Sequence, residues 1–303
     1  MAVTFAQAAA VEAAPVRRGA LEIAQGLPLW DRLPWEPIEG NAYAYDKDRV
    51  LPGTAFRTVN EAYIESTGVV NQDIERLTIL GGDADVDRFI ERTMQSSRGV
   101  LLADQVRMKV ESAQATYADA FFNGDVNVNP KGFDGLRKRL IGDQVIDATA
   151  AANEEGFLDD LDILMGAVGG ADVVFGPSAV ISRLKSLGRK VGGADYVNSE
   201  ITGRREFTWN GVAFVDPGQH WSGRDILTVD DDGGDLYAVK FARAWNQIGV
   251  MGITNGGLQA YSLGELEEKP AIRARVEFYS GLVVQGGKAA ARLRGVHPTA
   301  NES

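Results

Sequence analysis

The chain has 303 residues, 45% of them hydrophobic, enough to bury a core in one large domain or two smaller ones. Its formal charge of −11 argues against a general nucleic-acid binder, which needs clustered Lys and Arg at phosphates. Disulfides, thiolate metal sites and Cys nucleophiles are excluded by the absence of Cys, and two His, His220 and His297, are too few for a multi-His centre.

The opening MAVTFAQAAAVEAAPVRRG is Ala-rich, lacks a basic leader before an apolar core, and reads as an arm rather than a signal peptide. No apolar run approaches the ~20 residues needed to cross a bilayer, so no membrane role is expected. Residues 28–60 are rich in Pro, Trp and Tyr, and Pro28, Pro34, Pro37 and Pro52 favour extended segments and turns over helix. Tyr43 and Tyr45 fall on one face of a predicted strand, and RVLPGTAFRTV is expected to return antiparallel after a Pro52-Gly53 turn. The tip of that hairpin would be Asp46-Lys47-Asp48-Arg49. An isolated hairpin is marginal in water, so it must lean either on its own domain or on another subunit. Trp30, Trp35, Tyr43 and Tyr45 sit in acidic, Pro-rich sequence, which favours packing or an interface over base stacking.

Asp83 reads as an N-cap, and Val86, Phe89, Ile90, Met94, Leu101, Val106, Val110, Ala113, Tyr117 and Phe121 recur near a helical period. The expected helix runs from Asp83 to Phe122, ~60 Å long, with a break at Ser97-Arg98-Gly99. Asn123-Gly124 is its stop signal, read as a left-handed glycine terminus, and a turn-rich loop follows through Pro130.

Residues 155–240 read as an α/β region: EEGFLDDLDILMGAV as helix, DVVFG as buried strand, and the segment from Pro177 to Lys185 as helix with Pro in its first turn. FTWNGVAFV predicts a hairpin about Asn210-Gly211, and ILTVDDDGGDLYAVKF a second about 230–235. LQAYSLG and AIRARVEFYSGLVVQ are strands; in the latter Ile272, Ala274, Val276 and Phe278 alternate with Arg273, Arg275 and Glu277.

Signatures of chemistry are sparse. Neither a Walker loop nor Gly-x-Gly-x-x-Gly after a strand is present. Gly169-Gly170 reads as a helix terminus rather than a phosphate cradle, and Asp230-Asp231-Asp232 with Asp235 as a solvated turn rather than a calcium loop. Acid pairs such as Glu154-Glu155, Asp159-Asp160 and Glu267-Glu268 are solvated faces, since neighbours on one helix cannot flank a glycosidic bond. His220 lies in a polar loop without a nucleophile-elbow motif. No catalytic, metal-binding or cofactor-binding residue is expected.

The order of an arm, an extended hairpin, a long helix ending in FFNGD, a loop into GFDGL, an α/β region and the block SLGELEEKPAIRARVEFYSGLVVQGGKAAARLRGV resembles the major capsid protein family of tailed bacteriophages. The resemblance covers nearly the whole chain. It implies an α+β Hong Kong 97 type capsid fold with an N-terminal arm over 1–33 and an extended loop and its flanks over 34–80. A peripheral domain would take 81–140, with the spine helix, and 250–284. An axial domain and C-terminal segment would take 141–249 and 285–303.

The implied function is structural, not enzymatic: self-assembly as hexamers and pentamers into the icosahedral shell that encloses double-stranded DNA without sequence specificity. The shell would assemble in the bacterial host cytoplasm and reside in the virion, with a scaffolding protein, a portal and a cement protein as partners and no cofactor. Trp30, Trp35, Tyr43, Tyr45, Lys47, Asp48, Arg49 and Arg57 are the candidate inter-subunit contacts. Some relatives cross-link a Lys of this loop to an Asn of another subunit; Lys47 is the only Lys in the hairpin, and an ordinary ion pair is the favoured reading. Segment 271–298 is locally basic, with Arg273, Arg275, Lys288, Arg292 and Arg294 against Glu277, and could meet either DNA or acidic neighbours. The alternatives are an encapsulin-type nanocompartment shell and, in another class, an acidic hydrolase.

Overall fold

The structure is a computed structural model that describes residues 27–298 except 51, 64, 68, 94–99, 150–153, 192–193, 199–202, 204 and 245–246. Most of the arm expected over 1–33 lies outside the described residues. Its last part belongs to the core instead: helix α1 (Pro28–Arg32) starts on Pro28, whose fixed φ suits a first helical position, and buries Leu29, with Leu33 buried just after it.

The first sheet has the order β1, β12, β13, β4, where β1 is Trp35–Pro37, β4 Thr78–Asp87, β12 Gly249–Glu265 and β13 Ala271–Gln285. β13 follows the alternation read from its sequence: Ala274, Val276 and Phe278 are buried beneath the sheet, while Arg273, Arg275 and Glu277 face outward. Under its inner face runs α3 (Val100–Asn123), whose Val106, Val110, Tyr117 and Phe121 are buried against it. At the far end of α3, Phe122 meets Phe175 and Tyr237 of the second sheet at ring-centroid distances of 5.4 and 5.3 Å. One helix thus joins the two sheets through a single core.

The structure corrects the start of this helix. Residues 83–87 lie in β4, paired antiparallel with β13 so that Asp83 faces Arg275 and Asp85 faces Arg273. Asp83, Asp85 and Asp87 alternate with buried Ala84 and Val86, a period of two that outweighs the helical spacing. The capping residue is Asp87, whose Oδ1 accepts from Phe89 N–H at 2.7 Å at the start of α2 (Arg88–Thr93). Phe89 is therefore not on a buried stripe but 73% exposed. Val110→Ala is expected to cost about 2 kcal/mol, the loss of two buried methyl groups plus a small cavity. Phe89→Ala should leave the unfolding midpoint of the dissociated subunit unchanged; thermal melts of both variants check this.

The end of α3 falls at Asn123 as expected, but for another reason. Gly124 is not among the left-handed glycines; it is needed because the chain returning at 133–135 passes against it. That chain enters the short helix α4 (Leu136–Arg139), burying Phe133 and Leu136.

The second sheet runs β5, β14, β11, β6, β9, β8, β7, with β10 beside β11. These strands are Val145–Asp147 (β5), Val173–Phe175 (β6), Ala194–Asn198 (β7), Arg205–Trp209 (β8), Val212–Val215 (β9), Val229–Asp230 (β10), Gly233–Val239 (β11) and Ala290–Val296 (β14). Helices α5 (Glu154–Ala167) and α6 (Ser178–Val191) cover one face through Phe157, Leu161, Leu164, Val180 and Leu184, and the other face packs toward α3. Burial on both faces explains the unbroken apolar run of β6. Asn210 and Gly211 have φ of 49° and 80°, the paired left-handed residues of the predicted two-residue turn between β8 and β9. α5 ends at Ala167, and Gly170, with φ of 93°, lies in the turn that follows, where a left-handed glycine is favoured. No described helix is long and apolar enough to cross a membrane.

Candidate assembly surfaces

A third, two-stranded sheet projects from this body: β2 (Ala42–Val50) antiparallel to β3 (Val69–Arg76). Its base is fixed to the subunit. Tyr43 and Tyr45 point the same way, stack with ring centroids 6.0 Å apart, and are buried with Ile38, Met251, Ile253 and Val283. Tyr45 hydroxyl donates to Val284 O at 3.3 Å, and burial with nearby Glu75 and Asp73 pushes its pKa up to about 12. Arg139 forms a bidentate pair with Glu75 across the strands' inner face, one arm at 2.8 Å.

Four of the candidate contacts pack against their own subunit. Tyr43 and Tyr45 are covered by their own chain, and half-buried Trp30 and Trp35 sit 4.8 Å apart in an aromatic cluster with Tyr117 and Phe278. Apolar rings of this size are drawn into the nearest core, and here that core is the subunit's own.

The tip is also corrected. β2 continues through 46–50, with Lys47 opposite Asn71, Asp48 opposite Val70 and Val50 opposite Val69, so the charged run is part of the strand. The side chains of Lys47, Asp48 and Arg49 lie outside the described residues, and so does any test of the Lys47 reading. The tip is 52–67, far longer than a Pro52-Gly53 turn. Ser66 Oγ donates to Gly53 O at 2.8 Å across its neck. At its end Thr58 N–H and Oγ1 both donate to the Glu61 carboxylate, at 3.0 and 2.9 Å, and hold its pKa down. Arg57, the candidate that does lie on the tip, donates to Glu61 O at 3.3 Å and places its guanidinium 4.9 Å over the Tyr63 ring. This turn carries Phe56, Val59 and Tyr63 outward, and Phe56 is fully exposed at 107%. Sequence reasoning overlooked these three; the signal was an apolar triplet at 56, 59 and 63 inside a segment with no regular period.

Most basic side chains of the C-terminal strands are paired within the chain. Arg273 pairs with Asp85 at 2.6 and 2.8 Å, Arg275 with Asp83 at 2.7 and 3.0 Å, Arg292 with Asp235 at 2.7 Å, and Arg294 with Asp147. Four of the five basic side chains of 271–298 are thus matched within the chain, and the run is not a basic patch. Hydrogen bonds from Arg275 lower the pKa of Asp83, and those from Arg273 and Lys269 lower that of Asp85. A carboxylate whose folded pKa lies below its unfolded value, about 3.9, stabilises the fold above that pH, and the contribution is lost as pH falls through the folded value. The difference in melting temperature between the wild-type chain and Asp85→Asn is therefore expected to be constant above about pH 5 and to shrink below about pH 4.

The other chemical candidates resolve into turns. Asp230 Oδ1 accepts from Asp232 N–H at 3.0 Å, and no group of three or more His, Cys, Asp or Glu with metal-holding geometry occurs among the described residues. His220 Nδ1 lies 2.9 Å from Ser222 Oγ, a contact within one loop.

A projecting hairpin, a helix-backed four-stranded sheet and a helix-covered seven-strand ladder with one side strand together define the Hong Kong 97 type of capsid fold, and the chain has that fold. Its solved neighbours agree on this over almost the full length. The holo-SrpI encapsulin complex of Synechococcus elongatus PCC 7942 matches at a TM-score of 0.69 and 18% identity, over 91% of this chain and 90% of that one. The capsid of an empty GTA particle matches at 0.59 and 15% identity, over 89% of each chain. Microbacterium phage Oxtober96 matches at 0.57 and 14% identity, over 97% of this chain and 98% of that one. No family model and no curated protein matches the sequence.

Proposed function

We propose that the chain is a shell subunit, many copies of which close into an icosahedral particle, and that it performs no reaction. The observation that carries this is the hairpin: its base is locked by Tyr43, Tyr45 and Arg139, while its tip holds Phe56, Val59 and Tyr63 largely exposed, with none of them buried by the described residues. An exposed apolar cluster on a built scaffold marks an interaction site. A second copy is the natural partner, because closed shells bury modest contacts many times over.

In this reading 52–67 overlaps the next subunit and Arg57 contacts it. The first sheet with α3 forms the peripheral domain, 81–140 and 250–284. The second sheet, including β5 and β14, forms the axial domain, 141–249 with 285–303, around the capsomer axis. The arm before residue 27 crosses a neighbour. The particle is the capsid of a tailed bacteriophage, assembled in the host cytoplasm with scaffolding, portal and cement proteins around double-stranded DNA. Internal pairing of Arg273, Arg275, Arg292 and Arg294 supports a shell that encloses DNA without gripping it.

A cargo-enclosing compartment is the second reading, since an encapsulin shares the fold over 91% of this chain. Electron microscopy and sedimentation of the purified protein, with scaffold supplied, test the shell; only small species would refute it. Nuclease-protected DNA in particles from the native source selects the phage reading, and protected protein cargo selects the compartment.

A further inference from the structure

The end of the second sheet carries a surface that the hairpin does not use. β7 is last in the strand order and pairs on one side only, with β8. Edge strands are ordinarily blunted by Pro, Lys or a bulge. β7, Ala-Asp-Tyr-Val-Asn, has none of these, and its register with β8 is unbroken. Tyr196 and Val197 are each 53% exposed. Around Tyr196 cations and rings alternate: the Arg205 guanidinium lies 5.9 Å over the Tyr196 ring, Tyr196 meets Phe207 edge-on at 5.8 Å, and Lys185 Nζ of α6 lies 5.8 Å over Phe207. Exposed Arg189 follows Lys185 one turn along α6. None of these three cations has an ion-pair partner among the described residues. Of the nearby acids, Glu206 is held by Arg32 and Glu154 by Lys190, while Asp195 alternates to the other face of the strand.

α5 presents the complement. It packs on β14, the second strand from the other end of the sheet, and buries Phe157, Leu161 and Leu164. Its far face carries Asp159, Asp162, Ile163 and Gly166 at helical spacings of three and four. All four are exposed. Asp159 has no partner among the described residues, and Asp162 reaches Asn210 Nδ2 at a long 3.5 Å. A Cβ at Gly166 would meet nothing within 4 Å, so one side of Ile163 is bare helix backbone and the other is two carboxylates. That is a seat for an aromatic ring with cations beside it.

We propose that the β7 end of one subunit packs on α5 of a second copy, with Tyr196 over Ile163 and Gly166, Arg205 facing Asp159 and Arg189 facing Asp162. An apolar centre inside a polar rim is how specific interfaces are built, and matched rim charges choose the partner and the register. The two patches differ in sign, so neither fits itself. The contact therefore runs head to tail, and head-to-tail contacts that close generate rings. The inference rests on the shell reading and supplies the contact by which second sheets meet around a capsomer axis.

Arg189→Glu with Arg205→Glu, and separately Asp159→Lys with Asp162→Lys, are expected to leave the melt of the dissociated subunit unchanged and to lose particles in sedimentation. Combined in one chain, the four changes restore opposite signs across the contact and are expected to recover particles. Normal particles from either pair, or no recovery by the fourfold variant, would overturn the proposal. A wild-type chain that forms no particles with scaffold supplied would instead remove the shell reading, and this contact with it. Because the chain has no Cys, Arg205→Cys with Asp159→Cys places one thiol on each patch. Oxidised particles of this variant are expected to give a ladder of linked chains that stops at closed rings in non-reducing electrophoresis. A disulfide within one chain, or none at all, would also overturn the proposal.

Discussion

Replacing residues 51–68 with an Asn-Gly turn is expected to leave the subunit folded and to abolish closed particles. Val50 and Val69 are paired across the hairpin, so a two-residue turn with both positions left-handed closes β2 onto β3 without disturbing the register below. Among the described residues, the contacts that fix the hairpin to its subunit lie below that point: the buried Tyr43 and Tyr45, the Tyr45 bond to Val284 O and the Arg139–Glu75 pair. The deleted segment makes its described hydrogen bonds to itself, between Thr58 and Glu61, Arg57 and Glu61, and Ser66 and Gly53. Its loss removes little from the fold. For assembly the arithmetic is different. Aromatic residues at the centre of an interface commonly carry 2 kcal/mol or more each, and a shell repeats the contact at every subunit. Circular dichroism and thermal melts report the fold, and sedimentation reports the particles. An unfolded variant would place 52–67 in an intramolecular core, and particles of normal stability would remove the tip from the subunit interface. The narrower variant Phe56→Ala with Tyr63→Ala should weaken particles in the same direction while leaving the melt unchanged.

Legibility from sequence followed locality. The turn at Asn210-Gly211, the glycine turn at 169–170 after α5 and the alternation along β13 are each set by residues within a few positions of one another, and each stands where the sequence places it. Residues 83–87 were misread because two periods overlap there. Val86, Phe89 and Ile90 fit a helical spacing, while the Asp83 and Asp85 partners that hold the segment as strand are Arg275 and Arg273, nearly two hundred residues away. No local window contains that information.

The hairpin shows the same limit at its return strand. Nothing near Pro52-Gly53 says that the chain runs on to Val69 before pairing; the register is set by burial of Tyr43 and Tyr45 and by Glu75 meeting Arg139. Of the eight candidate contacts, Arg57 is the one whose described side chain lies on the projecting tip. Phe56, Val59 and Tyr63 escaped notice because an exposed aromatic and a core aromatic are the same letter in a sequence, and only the fold separates them.

Gly135→Ala is expected to destabilise the subunit by about 3 kcal/mol or more, the upper end of what overpacking against rigid atoms costs. The run FFNGDVNVNPKGFDGL leaves α3 at Asn123, loops out through 125–132, and comes back across the helix's last turn at 133–135. The crossing is held by Gly135 N–H donating to Gly124 O at 2.9 Å, and by Asp134 Oδ1 accepting from Val126 N–H at 2.8 Å. Lys138 ties the two ends together through Asp125 and Asp134, at 2.5 and 2.9 Å. A Cβ at position 135 would stand 2.5 Å from Ala120 O, 2.7 Å from Gly124 N and 2.9 Å from Phe122 C, all backbone atoms of the helix terminus. None of them is the far end of a flexible side chain, so relief requires moving either the last turn of α3 or the returning loop. Either movement displaces Phe122 or Phe133, and with them the contacts to Phe175, Tyr237 and Tyr117 that join the two sheets. Gly132→Ala is the control in the same loop. Its Cβ meets nothing closer than 3.5 Å and its φ is not left-handed, so the change should stay within about 1 kcal/mol of wild type. Chemical denaturation of the three proteins decides the matter: equal midpoints would mean that the loop can lift off the helix, and that the close crossing is not what makes glycine necessary at 135.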